Sequence, residues 1–136
     1  MNSELSQQVV VSLTSFPAAI SFATRAIQSV LGGSVLPDKV VLYLTFSQFG
    51  EQGLPEDLQA LADNEPRFEI RDYPWDLRSY RKRNPALKDF PDAVIVTIDD
   101  DVAYHKNMLR DLWRLHKEYP RAVLAHRAKL IKPDKP

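Results

Sequence analysis

The sequence predicts an α/β fold, three layers deep (α/β/α), with a mostly parallel sheet between two layers of helices. Two observations carry this. Short β-branched runs recur along the chain, and most are followed by a stretch whose apolar residues repeat at helical spacing. Parallel neighbours need a crossover connection, and helices used as crossovers cover the faces of the sheet. A third observation sets the scale. With 136 residues, 44% of them hydrophobic, the chain is expected to be a single domain, 1–136, because compact domains cluster at roughly 100–150 residues.

Val9 to Leu13 reads VVVSL and predicts the first strand. Thr14-Ser15-Phe16-Pro17 closes it as a loop, since Pro17 has no N–H and biases Phe16 toward extended backbone. Over residues 18–31, Ile20, Ala23, Ala26 or Ile27, and Val30 or Leu31 recur every three or four positions, which predicts an amphipathic helix ended by Gly32-Gly33. Lys39 to Thr45, KVVLYLT, is the second strand, entered from the turn pair Pro37-Asp38. A loop holding Gly50 and Gly53 leads to a short helix opened by Leu54-Pro55-Glu56-Asp57 and running to Ala62, with Leu58 and Leu61 on one face. Arg67 to Tyr73, RFEIRDY, alternates charged and apolar residues, as a half-exposed or edge strand does. Residues 78–89 predict a helix that Pro85 must kink or restart. Ala93 to Ile98 is the fourth strand and reads as the most apolar and most buried. Asn107 to Tyr119 is a helix with Met108, Leu109, Leu112, Trp113 and Leu115 in one stripe, Asn107 as its cap and Pro120 just past its end. Ala122 to Ala125 offers a fifth strand, and residues 129–136 form a loop-like tail.

Composition narrows the function. Lysine and arginine total 18, as do aspartate and glutamate, so no net field attracts nucleic acid or an anionic membrane, and any charge-based role must be local. The absence of cysteine excludes disulfides, thiolate metal sites and a cysteine nucleophile. The N-terminus MNSELSQQ lacks the basic start and apolar core of a signal peptide, and no apolar run reaches the ~20 residues of a membrane span. A soluble, cytoplasmic location is the expectation.

The chemistry is expected at AVIVTIDDDV, residues 93–102, where the fourth strand runs into Asp99, Asp100 and Asp101. Open α/β sheets bind ligands beyond the carboxyl ends of their strands, and three adjacent carboxylates repel unless something offsets them. A hard divalent cation, Mg²⁺ or Mn²⁺, does so and favours carboxylate, water and phosphate oxygens. Alternation along an extended segment aims Asp99 and Asp101 one way and Asp100 the other, leaving Asp100 outward or paired to a base. A second reading is a helix N-cap with a solvated turn. The phosphate-binding signatures GxxxxGK[ST] and GxGxxG are both missing, since the four glycines stand at 32, 33, 50 and 53. A receiver domain is excluded because Thr14 and Ser15 stand where its acidic pair follows the first strand.

These segments together carry a resemblance. VVSLTSFP, PDKVVLYL, RSYRKRNPALKDFPDAVIVTIDDDVAY, LHKEYP and AHRA resemble the nucleotide-sugar-binding half of a GT-A glycosyltransferase, of a bacterial branch near the family 2 enzymes, over residues 9 to 128. The resemblance implies a Rossmann-like GT-A fold and makes Asp99-Asp100-Asp101 the DXD motif. Asp101 would then contact Mn²⁺ or Mg²⁺ on the diphosphate of a nucleotide-sugar donor, with Asp99 near the ribose or the metal's water shell. Thr14, Ser15, Phe16 and Pro17 match the loop that borders the nucleoside. Ser79-Tyr80-Arg81-Lys82 matches a basic Ser-Tyr-Lys-Lys stretch, placing Lys82 near the diphosphate or on a solvated helix surface.

The sequence departs from that pattern at Ala19, where relatives often carry Arg, and at Arg83-Asn84, which replaces an apolar pair. Segments that bind the acceptor, expected to be a saccharide, and supply a catalytic base would lie beyond Pro136. Among His105, His116 and His126, the last is expected nearest the cleft, and Trp75-Asp76 at its edge. The rival expectations are a non-catalytic binding module of the same fold and a metal-dependent nucleotidyltransferase. An apolar sheet edge left open would favour a homodimer.

Overall fold

The computed structural model describes residues 8–73 and 85–118. In chain order it contains β1 (Val9–Thr14), α1 (Ile20–Leu31), β2 (Lys39–Leu44), a 3₁₀ segment (Phe46–Gln52), α2 (Glu56–Asn64), β3 (Phe68–Asp72), α3 (Pro85–Asp89), β4 (Val94–Thr97) and α4 (Met108–Glu118). The sheet has the order β3-β2-β1-β4, and all three pairings are parallel. Val10 lies opposite Lys39 on one side of β1 and opposite Ile95 on the other.

The expected α/β/α layering is what the chain adopts. Side chains alternate across a strand, so Val9, Val11 and Leu13 of β1 enter the main core with Val40, Leu42 and Leu44 of β2. Ile20, Ala23, Ile27 and Val30 of α1, Leu58 of α2, and Met108, Leu109, Leu112 and Trp113 of α4 close over that face. Val10, Val41 and Tyr43 face the other way with Ile95 of β4, packed with Ala86 of α3 and the partly buried Phe90. Strands covered on both faces read as unbroken apolar runs rather than alternating ones. That is why VVVSL and KVVLYL, not the fourth strand, are the most buried: Val94 and Ile95 are only partly covered. Each fully buried Leu or Val contributes about 1.5–3 kcal/mol relative to exposure.

As its alternation leads one to expect, β3 is an edge strand among the described residues. Phe68 is buried, while Glu69 and Arg71 turn to the α3 side and bond each other at 2.5 Å. Lys39 pairs with Glu69, Arg71 reaches Asp89 Oδ2 at 3.0 Å and lies over the Phe90 ring, and the Tyr43 hydroxyl donates to the same Asp89 oxygen at 2.9 Å. These charges join β2, β3 and α3 and discourage further strand pairing at this edge.

Several local features differ from the sequence expectation. α1 begins at Ile20 rather than 18, because the residues after Pro17 form a turn in which the Ala19 N–H donates to Phe16 C=O at 2.9 Å. The loop after β2 is wound into 3₁₀ turns, broken at Gly50 (φ 60, ψ −153) and ended at Gly53 (φ 68), conformations that favour glycine. Gly32 ends α1 with φ −89 and so does not need a left-handed cap. The neighbouring glycine has a steric role instead: a Cβ on Gly33 would stand 3.1 Å from Lys106 O and 3.2 Å from Val30 O. The fifth strand and the tail lie outside the described residues.

Candidate functional site

The strand order creates the site. From β1 the chain moves outward through β2 to β3, then crosses back to place β4 on the other flank of β1. The strand order thus reverses beside β1, and open α/β sheets bind ligands in the crevice beyond the carboxyl ends of the strands at such a point. Thr14 and Ser15 lie at one lip, and Asp99, Asp100 and Asp101 at the other.

The two lips are bonded. Ser15 Oγ donates to Asp100 Oδ2 at 2.6 Å across 85 positions of sequence. Ser15 is buried, and its own N–H reaches Tyr43 C=O at 3.4 Å, continuing the β1–β2 ladder. Burial pushes the Asp100 carboxyl above its ordinary 3.8, and the charges of Asp101 and Asp99 add to this, while the Ser15 bond opposes it. Asp100 thus turns inward to a hydroxyl, not outward or to a base as strict alternation would have it. The reason is local: β4 ends at Thr97 and Asp100-Asp101 form a turn, so the two-residue period does not extend to them. Asp101 is exposed and Asp99 is partly covered.

Behind the turn stands a residue that the sequence reading did not single out. The Tyr104 hydroxyl accepts the Asp99 N–H at 2.9 Å. Burial pushes that phenol up to about 12; the Asp99 N–H bond opposes the shift and the three carboxylates add to it. The Tyr104 N–H donates to Ser29 Oγ at 2.9 Å, and Ser29 donates to Ala26 C=O at 2.6 Å within α1. One signal was available: a tyrosine three residues after the acidic triplet, whose hydroxyl needs a partner if the ring is buried.

Phe16 is 53% exposed, and Pro17 beside it lines a cleft of about 420 Å³ together with Ile20, Phe49, Leu54, Gln48 and Gln52. Thr14 is half-buried at the end of β1. Lys82, with Ser79, Tyr80 and Arg81, lies outside the described residues, as do Trp75-Asp76, Arg83-Asn84 and His126. His105 accepts the Asn107 N–H on Nδ1 at 3.1 Å, and His116 packs its ring 5.2 Å from that of Trp113. Neither joins the acidic turn. Asn107, expected as a helix cap, accepts on Oδ1 from the Ser34 hydroxyl at 2.8 Å.

Among the described residues no group of three or more His, Cys, Asp or Glu side chains forms a metal cage. The donor chemistry of the turn nevertheless suits Mg²⁺ or Mn²⁺, which are typically held by one or two carboxylates completed by substrate phosphates and water. The mutually repelling carboxylates, of which Asp99 and Asp100 are partly buried, also gain from a cation. No helix among the described residues is long and apolar enough to cross a membrane.

Comparison with known proteins adds two findings. Residues 21–135 match the model of "Glycosyl transferase family 2". The fold is similar to the crystal structure of S. aureus TarS 1-349, with TM-score 0.62 and 17% identity over 83% of this chain, and to TarS 1-349 in complex with UDP, with TM-score 0.59 and 16% identity. The chain spans about a third, 33%, of each of those structures. No curated protein matches the sequence.

Proposed function

Since the chain belongs to glycosyl transferase family 2 and has the GT-A type of α/β fold, we propose that it binds a nucleotide diphosphate-sugar donor at the β1–β4 crevice for transfer to a saccharide acceptor. The single observation that supports this most is the Ser15–Asp100 bond at 2.6 Å, which puts the acidic turn against the β1 loop at the switch point. Thr14, Ser15, Phe16 and Pro17 border the nucleoside in this reading, and Lys82 approaches the diphosphate.

Asp101 and Asp99 would hold Mn²⁺ or Mg²⁺ with the diphosphate oxygens. When bound, the cation neutralises the charge that develops on the nucleoside diphosphate leaving group. The chain's own contribution is placement. Asp100, engaged by Ser15, anchors the turn so that its exposed neighbour Asp101 stands at the mouth of the crevice. The TarS complex contains UDP, so UDP and GDP are the probes. Isothermal titration of the chain with UDP or GDP should give binding that needs Mn²⁺ and is lost in Asp101→Ala. Binding indifferent to both the metal and that substitution removes the reading.

A further inference from the structure

The acidic turn has a fixed point on each side, and only one of them faces the crevice. Ser15 holds Asp100 from the front. From behind, the Tyr104 hydroxyl accepts the Asp99 backbone N–H at 2.9 Å. We infer that Tyr104 is a positioning residue for the donor's diphosphate and cation, acting through the backbone of Asp99; the inference rests on the donor-site reading above.

The mechanical path is continuous. Ser29, partly buried in the last turn of α1, is locked by its bond to Ala26 C=O at 2.6 Å and accepts the Tyr104 N–H at 2.9 Å. Five residues further along, the Ser34 N–H donates to Lys106 C=O at 2.8 Å, and its hydroxyl donates to Asn107 Oδ1. The segment from β4 to α4 is therefore stitched to α1 and to the loop that follows it at two places, and the Tyr104 ring packs on the main core. α1 begins beside the Phe16-Pro17 loop, so one rigid helix sets both the nucleoside-side loop and, through Tyr104, the acidic turn. The force it resists is also present. Three adjacent carboxylates repel one another and favour opening of the turn, and a backbone hydrogen bond that fixes Asp99 opposes this. A phenylalanine could keep the ring's packing, but it has no oxygen to accept the Asp99 N–H.

The test compares Tyr104→Phe with the unchanged chain in UDP titrations with and without Mn²⁺, alongside Mn²⁺ electron paramagnetic resonance at fixed UDP to count bound metal. Losing one hydrogen bond of about 1–1.4 kcal/mol predicts that Mn²⁺-dependent UDP binding weakens roughly five- to tenfold. Metal-free UDP binding should stay within about twofold. Ser29→Ala leaves every group of the acidic turn in place and should give a smaller loss, about threefold, in the metal-dependent arm alone. A lowered melting temperature with unchanged binding, or an equal loss in both arms, makes Tyr104 merely structural and overturns the inference. If the unchanged chain binds UDP through the metal and Asp101→Ala abolishes it while Tyr104→Phe does not weaken it, the donor site stands and only Tyr104's role falls. If the unchanged chain shows no metal-dependent binding of UDP or GDP, both fall.

Discussion

Asp100 and Asp101 are neighbours with opposite circumstances. Asp100 is half-buried, bonded to Ser15 and held above the ordinary carboxyl value chiefly by burial. A charge kept in that setting costs stability, and functional sites commonly carry such a cost. Asn at this position can still accept the Ser15 hydrogen but carries no charge. Asp100→Asn is therefore expected to raise the melting temperature of the ligand-free chain by about 2–4 °C, the shift that roughly 1 kcal/mol produces at this size. The same variant should weaken Mn²⁺-dependent UDP binding about tenfold, since the turn loses one of its three charges. Calorimetry on the two proteins checks both halves, and a lowered melting temperature would show that the charge is well solvated. At this scale the sequence announced the triplet, because an apolar run ending in acids is visible without coordinates. It did not show which acid turns inward. That depends on β4 ending at Thr97, after which the backbone turns and alternation stops applying. Nor did it show Tyr104's part, because a phenol meeting the amide of a residue five positions earlier exists only once that turn has formed.

Elements were more legible than side chains, and the reason is periodicity. β1, β2, β3 and α4 lie within a residue or two of where apolar spacing puts them, since two-residue and 3.6-residue periods are long-range signals. The 3₁₀ segment had no such period, and the glycines at 32 and 33 were read for backbone freedom when Gly33 is needed for close approach to Lys106. The alternation RFEIRDY correctly marked an edge, and it carries a testable electrostatic consequence. Burial pushes the Glu69 carboxyl up, but hydrogen bonds from Lys39 and Arg71 outweigh this and hold it below the ordinary 4.5. A depressed folded-state value means that the ionised form is favoured by folding. Its stabilisation is thus fully present above pH 4.5 and is lost as pH falls through the lower folded value. Glu69→Gln should melt about 1–3 °C below the unchanged chain at pH 7, the modest scale of a partly exposed network. The two melting curves should converge as pH falls below 4.5 and the unchanged Glu69 takes up its proton. A constant gap across that range would assign the loss to packing, not charge.

For the whole molecule, the alternation of strands and helices specified a parallel sheet but not its order. Order depends on which way each crossover steps, and that choice is made by packing α1, α2 and α4 on one face and α3 on the other. The reversal beside β1 then brings the Ser15 loop and the acidic turn together, a juxtaposition that no local motif encodes. This arrangement makes ligation a property of the entire domain, because β1 and β4 approach each other from 85 positions apart at the Ser15–Asp100 bond. A ligand held across both lips binds the folded chain and not the unfolded one, which lacks the crevice. At a hundredfold excess over Kd this adds about 2.7 kcal/mol, equivalent to roughly 5–10 °C in melting temperature for a domain of this size. Because the turn supplies too few donors to cage a cation alone, Mn²⁺ by itself should shift the melting point by no more than about 1 °C. UDP without metal should do little more, as its diphosphate would face the carboxylates unscreened. Only the pair together should give the full shift, measured by scanning calorimetry in the four combinations of metal and nucleotide. An equal shift from Mn²⁺ alone would mean that the acids form a metal site independent of any donor, and the crevice would then need a different occupant.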